Sequence, residues 1–233
     1  MTYPTQLELP GQTHVAEGPY DQTGMYVMHH AFRRDLDRFV SAARNTPVEE
    51  AEVWHALVDR WARFDSTLHH HHTIEDEAIW PVLLRHVGDN PAERETLEAM
   101  EAEHAQIDPG LAACRSGFGD MVAHPCDDHR NALVIRLTAV RQALLDHLRH
   151  EESETLPLLQ RTMTREEWDA AEAAAQKGYP VRDFPFLVPW ALDELPEDGR
   201  RRMLRDAGRA YGILWRIVRR RYERRDAVAF RYA

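Results

Sequence analysis

With 233 residues, 43% apolar and 29% charged side chains, the chain has the size and balance of a soluble globular domain with room for an extension. Its net charge of −10 argues against a nucleic-acid binder as a whole, and no apolar run approaches the ~18 residues of a membrane span. The charge is uneven: from Gly199 onward there are twelve arginines against three acidic residues.

Residues 1–20 carry Pro4, Pro10, Gly11, Gly18 and Pro19 without periodicity and read as an irregular arm. From about Asp21, Met25, His29, Phe32, Leu36 and Phe39 recur at 4-3-4-3 spacing, which predicts an amphipathic helix ending near Asn45. Thr46-Pro47-Val48-Glu49 reads as a capping box opening a second helix. Its stripe is Leu57, Trp61, Phe64, Leu68, His71, Glu75, Ala78 and Val82, with a kink expected at Pro81 and a stop at Gly88-Asp89-Asn90-Pro91. If that turn is tight, His71 overshoots the level of His29 by about 12 Å. A third helix carries Leu97, Met100, His104, Ile107, Leu111 and Cys114, with a kink expected at Asp108-Pro109-Gly110. Residues 116–128 are expected to be a loop. The fourth carries Leu133, Leu137, Val140, Leu144, His147, Glu151 and Leu158, kinked near Pro157. Thr164–Glu167 is another capping box before an Ala-rich helix ending at Gly178. A Pro- and aromatic-rich stretch, Tyr179–Trp190, is expected to lie against the rest, and one last basic helix carries Met203, Ala207, Tyr211, Leu214, Val218 and Tyr222 on one side.

The expected fold is all-α: an antiparallel up-down four-helix bundle over residues 21–162, preceded by the arm and followed by a helical extension over 163–233. Internal symmetry supports it. His71-x-x-x-Glu75 and His147-x-x-x-Glu151 each have an acidic residue after the Glu and a proline six residues beyond it. Each is preceded by an isolated stripe histidine, His29 or His104, 42 and 43 residues upstream. Positions i and i+4 share a helix face, so each motif aims an imidazole and a carboxylate at one point. Burying such groups costs several kcal/mol unless they are paired or bind metal. Six of them on four apolar stripes predict a shared metal centre at His29, His71, Glu75, His104, His147 and Glu151. Imidazole and carboxylate donors without thiolates suit iron, with manganese and zinc as alternatives. Glu75 and Glu151 are expected to bridge a metal pair, one metal drawing on His29 or His71 and the other on His104 or His147, which leaves positions for an oxo or hydroxo bridge and an exogenous ligand. His30, His72 and Tyr26 are further candidates for the site, and Asp76 and Glu152 are candidates to orient ligating imidazoles.

These residues resemble the hemerythrin-like, or HHE cation-binding, family over roughly residues 21–162. The resemblance implies a non-haem di-iron centre in a four-helix bundle, with His29, His71, Glu75, His104, His147 and Glu151 as ligands by motif position. Oxygen-carrying hemerythrins have five histidines, two of them on the third helix; here Asp108 stands four residues after His104. The chain therefore follows the two-fold HHE pattern. The function implied is binding or sensing of a small ligand such as dioxygen, nitric oxide or peroxide. The alternatives are a di-iron oxidoreductase and an iron-handling protein. Cys114 and Cys126 form no metal-type pair and the polar N-terminus lacks a signal-sequence pattern, so the cytoplasm is the expected compartment.

Overall fold

The structure, a computed structural model, describes residues 3–233. All regular structure in them is helical. Helix α1 (Thr23–Asn45) turns Phe32, Leu36 and Phe39 fully inward, as the 4-3-4-3 spacing requires. Helix α2 (Ala51–Ile74) leads through a π turn, Glu75–Ile79, into α3 (Trp80–Val87). Helix α4 (Pro91–Ala123) runs back, and α5 (Asp127–His150) continues through a second π turn, Glu151–Thr155, into α6 (Leu156–Thr162). Helices α1, α2, α4 and α5 are neighbours in a closed ring, the antiparallel four-helix bundle that the sequence predicts. Its core is an aromatic pile in which Phe39 packs within 5.7 Å, centroid to centroid, of Trp61, Phe64 and Phe118. Such pairs contribute about 0.5–1.5 kcal/mol each beyond area burial.

Four expectations are corrected. Thr46 caps nothing: its buried hydroxyl is unpartnered, and α2 starts at Ala51 because Pro47–Glu50 form a turn whose Pro47 carbonyl accepts from Glu50 N–H and Trp54 Nε1. Spending those residues on the connection halves the level mismatch between His29 and His71. Residues 116–123 are not loop but the last two turns of α4, which also passes unbroken through Pro109. Gly117 is a place of close approach there, since a Cβ would lie 3.0 Å from Leu133 Cδ1 of α5. At Pro81 and Pro157 the helices do not simply kink. Trp80 N–H reaches back five residues to the Glu75 carbonyl, and Leu156 N–H to that of Glu151. A proline ring crowds the carbonyl one turn back and supplies no N–H, and a widened turn just upstream relieves that conflict. Finally, the basic terminal helix is two helices, α9 (Glu197–Asp206) and α10 (Arg209–Ala229), separated at Gly208 with φ 84°.

The remaining chain covers the bundle. The capping box at Thr164 and Glu167 forms as predicted and opens α7 (Arg165–Gly178). The aromatic stretch folds into a short 3₁₀ turn and α8 (Phe184–Leu192), which buries Leu187, Val188, Trp190 and Leu192. Asp35 is the ionic pin. This fully buried carboxylate accepts from Arg34 (2.8 Å), Arg60 (3.0 Å) and Trp190 Nε1 (2.8 Å), while Arg60 also donates to Tyr222 Oη (2.8 Å). One network thereby joins α1, α2, α8 and α10. Burial opposes the Asp35 charge, but Arg60 and Arg34 outweigh it and hold its carboxyl at about 2. The arm, residues 3–22, has no helix but is tied down: Gln160 Nε2 donates to the carbonyls of Ala16 (3.2 Å) and Tyr20 (2.8 Å).

Candidate metal centre

The bundle brings all six predicted residues into one buried cluster, none more than 6% exposed. Two sets of side chains each offer ligand atoms within 4.8 Å of one another: His72, Glu75, His104 and His147, and His29, His71, Glu75 and Glu151. Glu75 belongs to both sets, whereas Glu151, expected to bridge as well, belongs to one. It and Glu151 are each the first residue of a π turn, so the wide turns sit where the two carboxylates enter the core.

Neighbouring carboxylates fix which nitrogen of three of the imidazoles faces inward. His29 Nδ1 meets Glu152 Oε1 (3.0 Å), His104 Nδ1 meets Asp76 Oδ1 (2.9 Å), and His147 Nδ1 meets Glu103 Oε2 (2.8 Å). A carboxylate on Nδ1 keeps the proton there and leaves Nε2 as a lone pair. The Nε2 atoms of His104 and His147 then face each other at 3.2 Å, two lone pairs in mutual repulsion unless a cation or a proton lies between them. On the other side His29 Nε2 and Glu151 Oε2 approach to 3.1 Å, as do His71 Nε2 and Glu75 Oε1. These contacts lack hydrogen-bond geometry: His29 Nε2, His71 Nε2, both His72 nitrogens and all four oxygens of Glu75 and Glu151 are buried without a hydrogen-bond partner. Buried polar groups are otherwise satisfied almost without exception, and this concentration of inward lone pairs is the donor set of a cation site.

The electrostatics agree. Burial, reinforced by the charges of Glu151 and Asp76, pushes the Glu75 carboxyl well above the usual carboxylate range. Burial and the neighbouring imidazoles push His71 and His72 well below the usual histidine range. His29 is the exception: burial works against its charge, yet Glu151 and Glu152 on its two nitrogens raise it to about 9. Among the protein groups alone, a proton on His29 offsets charge that a bound cation would otherwise offset.

The other sequence candidates separate cleanly. His72, 3% exposed, stacks on His104 with centroids 3.9 Å apart and joins the first set. His30 turns to the arm, with Nδ1 3.4 Å from the Pro10 carbonyl, and belongs to neither set. The Tyr26 hydroxyl is taken up by Gln22 Oε1 (3.1 Å) and Ala16 N–H (2.8 Å), which favours its reading as a packed aromatic. His69 is exposed, and His70 packs edge-on against Tyr179, centroids 4.3 Å apart. Glu152 is fully buried, where it also accepts from Arg33 (2.8 Å) and the Thr13 N–H (2.8 Å). Burial opposes its charge, but His29 and Arg33 hold its carboxyl at about 2. Sequence reading missed Glu103 as a support; it grips both His147 and His150 at 2.8 Å. Its only signal was an acidic residue directly before a stripe histidine. Phe32, read as core, is also the wall of the site, its ring 5.3 Å from that of His71.

Fold and site together define a helical-bundle protein with a buried histidine–carboxylate cation site. The hemerythrin HHE cation-binding domain matches residues 23–159, and the chain belongs to that family. No curated protein and no solved structure matches the chain. No helix among the described residues is long and apolar enough to cross a membrane.

Proposed function

We propose that the chain is a non-haem di-iron protein that binds or senses a small ligand, dioxygen, nitric oxide or peroxide, at a metal pair bridged by Glu75. The observation that supports this is the membership of Glu75 in both ligand sets. In this reading His72, His104 and His147 serve one metal, and His29, His71 and Glu151 the other. Iron bound there supplies coordination and one-electron chemistry for a diatomic ligand. The protein's own contribution is to hold three imidazoles in a single tautomer through Glu152, Asp76 and Glu103, and to wall the site with Phe32. Behind Phe32, Phe64 and Trp61 continue that wall at 5.8 and 5.3 Å steps, a lining suited to small apolar gases. A fifth imidazole, His72, reaches the histidine count of the oxygen-carrying hemerythrins from α2 instead of the third bundle helix. We assign the bundle, residues 21–162, as the metal-carrying unit and residues 163–233 as an elaboration around it. We place the protein in the cytoplasm, which the free thiols of Cys114 and Cys126 support.

The test is to reduce the iron-loaded protein, add dioxygen, nitric oxide and peroxide separately, and follow the optical spectrum. A stable adduct that reverses on removing the ligand is expected. Steady consumption of oxygen or peroxide without a lasting adduct would replace this reading with an oxidoreductase.

A further inference from the structure

Beside the Asp35 network, residues of α2, α8 and α10 line a groove of about 710 Å³. That volume lies in the ~300–1,000 Å³ range of small-molecule sites. Arg63 of α2 and Arg221, Arg224 and Arg225 of α10 line it. None of the four has a carboxylate within 4.0 Å among the described residues, whereas most arginines of the bundle do. The lining carboxylates leave little to neutralise them. Glu52 is engaged by Arg231 at 2.9 Å, and Asp226 by Arg38 and by Arg60, the latter at 3.4 Å; only Asp59 is without a basic partner. Four guanidinium groups without a carboxylate partner thus face one groove of a chain with net charge −10, an arrangement suited to an anion.

We propose that this groove is a second binding site, which takes a phosphorylated organic molecule of about nucleotide size. Each guanidinium presents a planar fork of donors matched to phosphate oxygens, and four of them exceed what one carboxylate can accept. An inorganic phosphate would fill only a fraction of the volume. Beside these charged groups the lining has an apolar part, Phe186, Val218, Val228 and Ala229, and Arg63 already lies over the Phe186 ring at 5.3 Å. The ligand thus carries its phosphate toward the arginines and an apolar or aromatic part toward Phe186. The site is independent of the metal centre, and its inner wall, Arg60, is also a partner of Asp35.

Calorimetric titration of the full-length, metal-loaded protein with ADP and with pyrophosphate tests this. ADP is expected to bind one to one and more tightly than pyrophosphate. The double variant Arg63→Ala/Arg225→Ala should weaken ADP binding about tenfold or more, the loss of charged hydrogen bonds. Both positions are exposed on helices, where alanine is well tolerated, and an unchanged melting temperature verifies folding. Arg201→Ala/Arg205→Ala removes the same charge from the exposed side of α9 and should change affinity less than about twofold. Equal weakening by both double variants would reduce the effect to general charge and overturn the site. So would the absence of saturable binding to either probe, or capture only by phosphatidylglycerol vesicles.

Discussion

The two His-x-x-x-Glu copies are nearly interchangeable as sequence and unlike each other as environments. Each places its Glu first in a π turn, and the acidic residue after that Glu holds the isolated histidine of another helix: Asp76 holds His104, Glu152 holds His29. There the likeness ends. Glu152 is sealed in with Arg33 and the arm, whereas the Asp76 side chain is 35% exposed. His147 has Glu103 behind it; the residue before His29 is Met28, and His71 has no equivalent carboxylate among the described residues. His72, a candidate ligand, corresponds to Leu148, a buried core residue. The two copies share their donors and differ in their supports, so the two ligand sets are inequivalent.

Removing the carboxylates one at a time should break this comparison most visibly. Glu75→Ala is expected to empty both positions, because both sets use it. Glu151→Ala should leave the metal on the His72, His104 and His147 side, about half the wild-type content. Metal per chain measures this, and equal losses in the two variants would refute the assignment of Glu75 as the shared ligand.

Asp35→Ala is the control away from the metals. Leaving Arg34 and Arg60 buried without their partner should cost about 3–5 kcal/mol with metal content retained. The folded-state carboxyl is depressed to about 2, so its contribution is complete above the ordinary carboxylate pKa. It fades as pH falls from about 4 toward the folded value. Urea unfolding of wild type and variant should therefore differ most at neutral pH and converge in acid; a gap independent of pH would contradict the ionic account of this pin.

Smaller and more discriminating is the pair Glu152→Gln and Asp76→Asn. Each loosens one supported imidazole, an effect of about 10–100-fold on metal affinity. Glu152→Gln should lie at the upper end, because it also strands Arg33; at Asp76 water can substitute. Chelator competition reads the difference, and indistinguishable affinities would remove the environmental asymmetry.

Much of this was legible in the chain. Period-3.6 stripes identify the bundle because its helices bury one face each, and polar residues on those stripes stand out against apolar neighbours. The six predicted ligand positions converge for that reason. His72 was harder to judge because it borders the stripe, and Glu103 because a supporting carboxylate sits off the stripe and resembles any solvated acid. The π turns were invisible to a fixed helical period, although the repeated Glu-x₅-Pro spacing marks them. Local signals also misled where tertiary contacts competed. Thr164 and Glu167 form their capping box at a free helix end, while Thr46 loses its own to the burial of Trp54 and the turn at Pro47. The smallest effect expected follows from that contrast. Thr164→Ala should cost about 1 kcal/mol, and Thr46→Val, which removes an unpartnered buried hydroxyl, should cost less or stabilise. Thermal melts of the two would decide it, and a larger loss at Thr46 would show a partner for that hydroxyl.

A centre shared through Glu75 would hold two metals. Elemental analysis of the full-length protein made in iron-replete medium tests it most directly. About two irons per chain are expected from two imidazole–carboxylate sets of this kind; a single zinc per chain, or no bound metal, would contradict it.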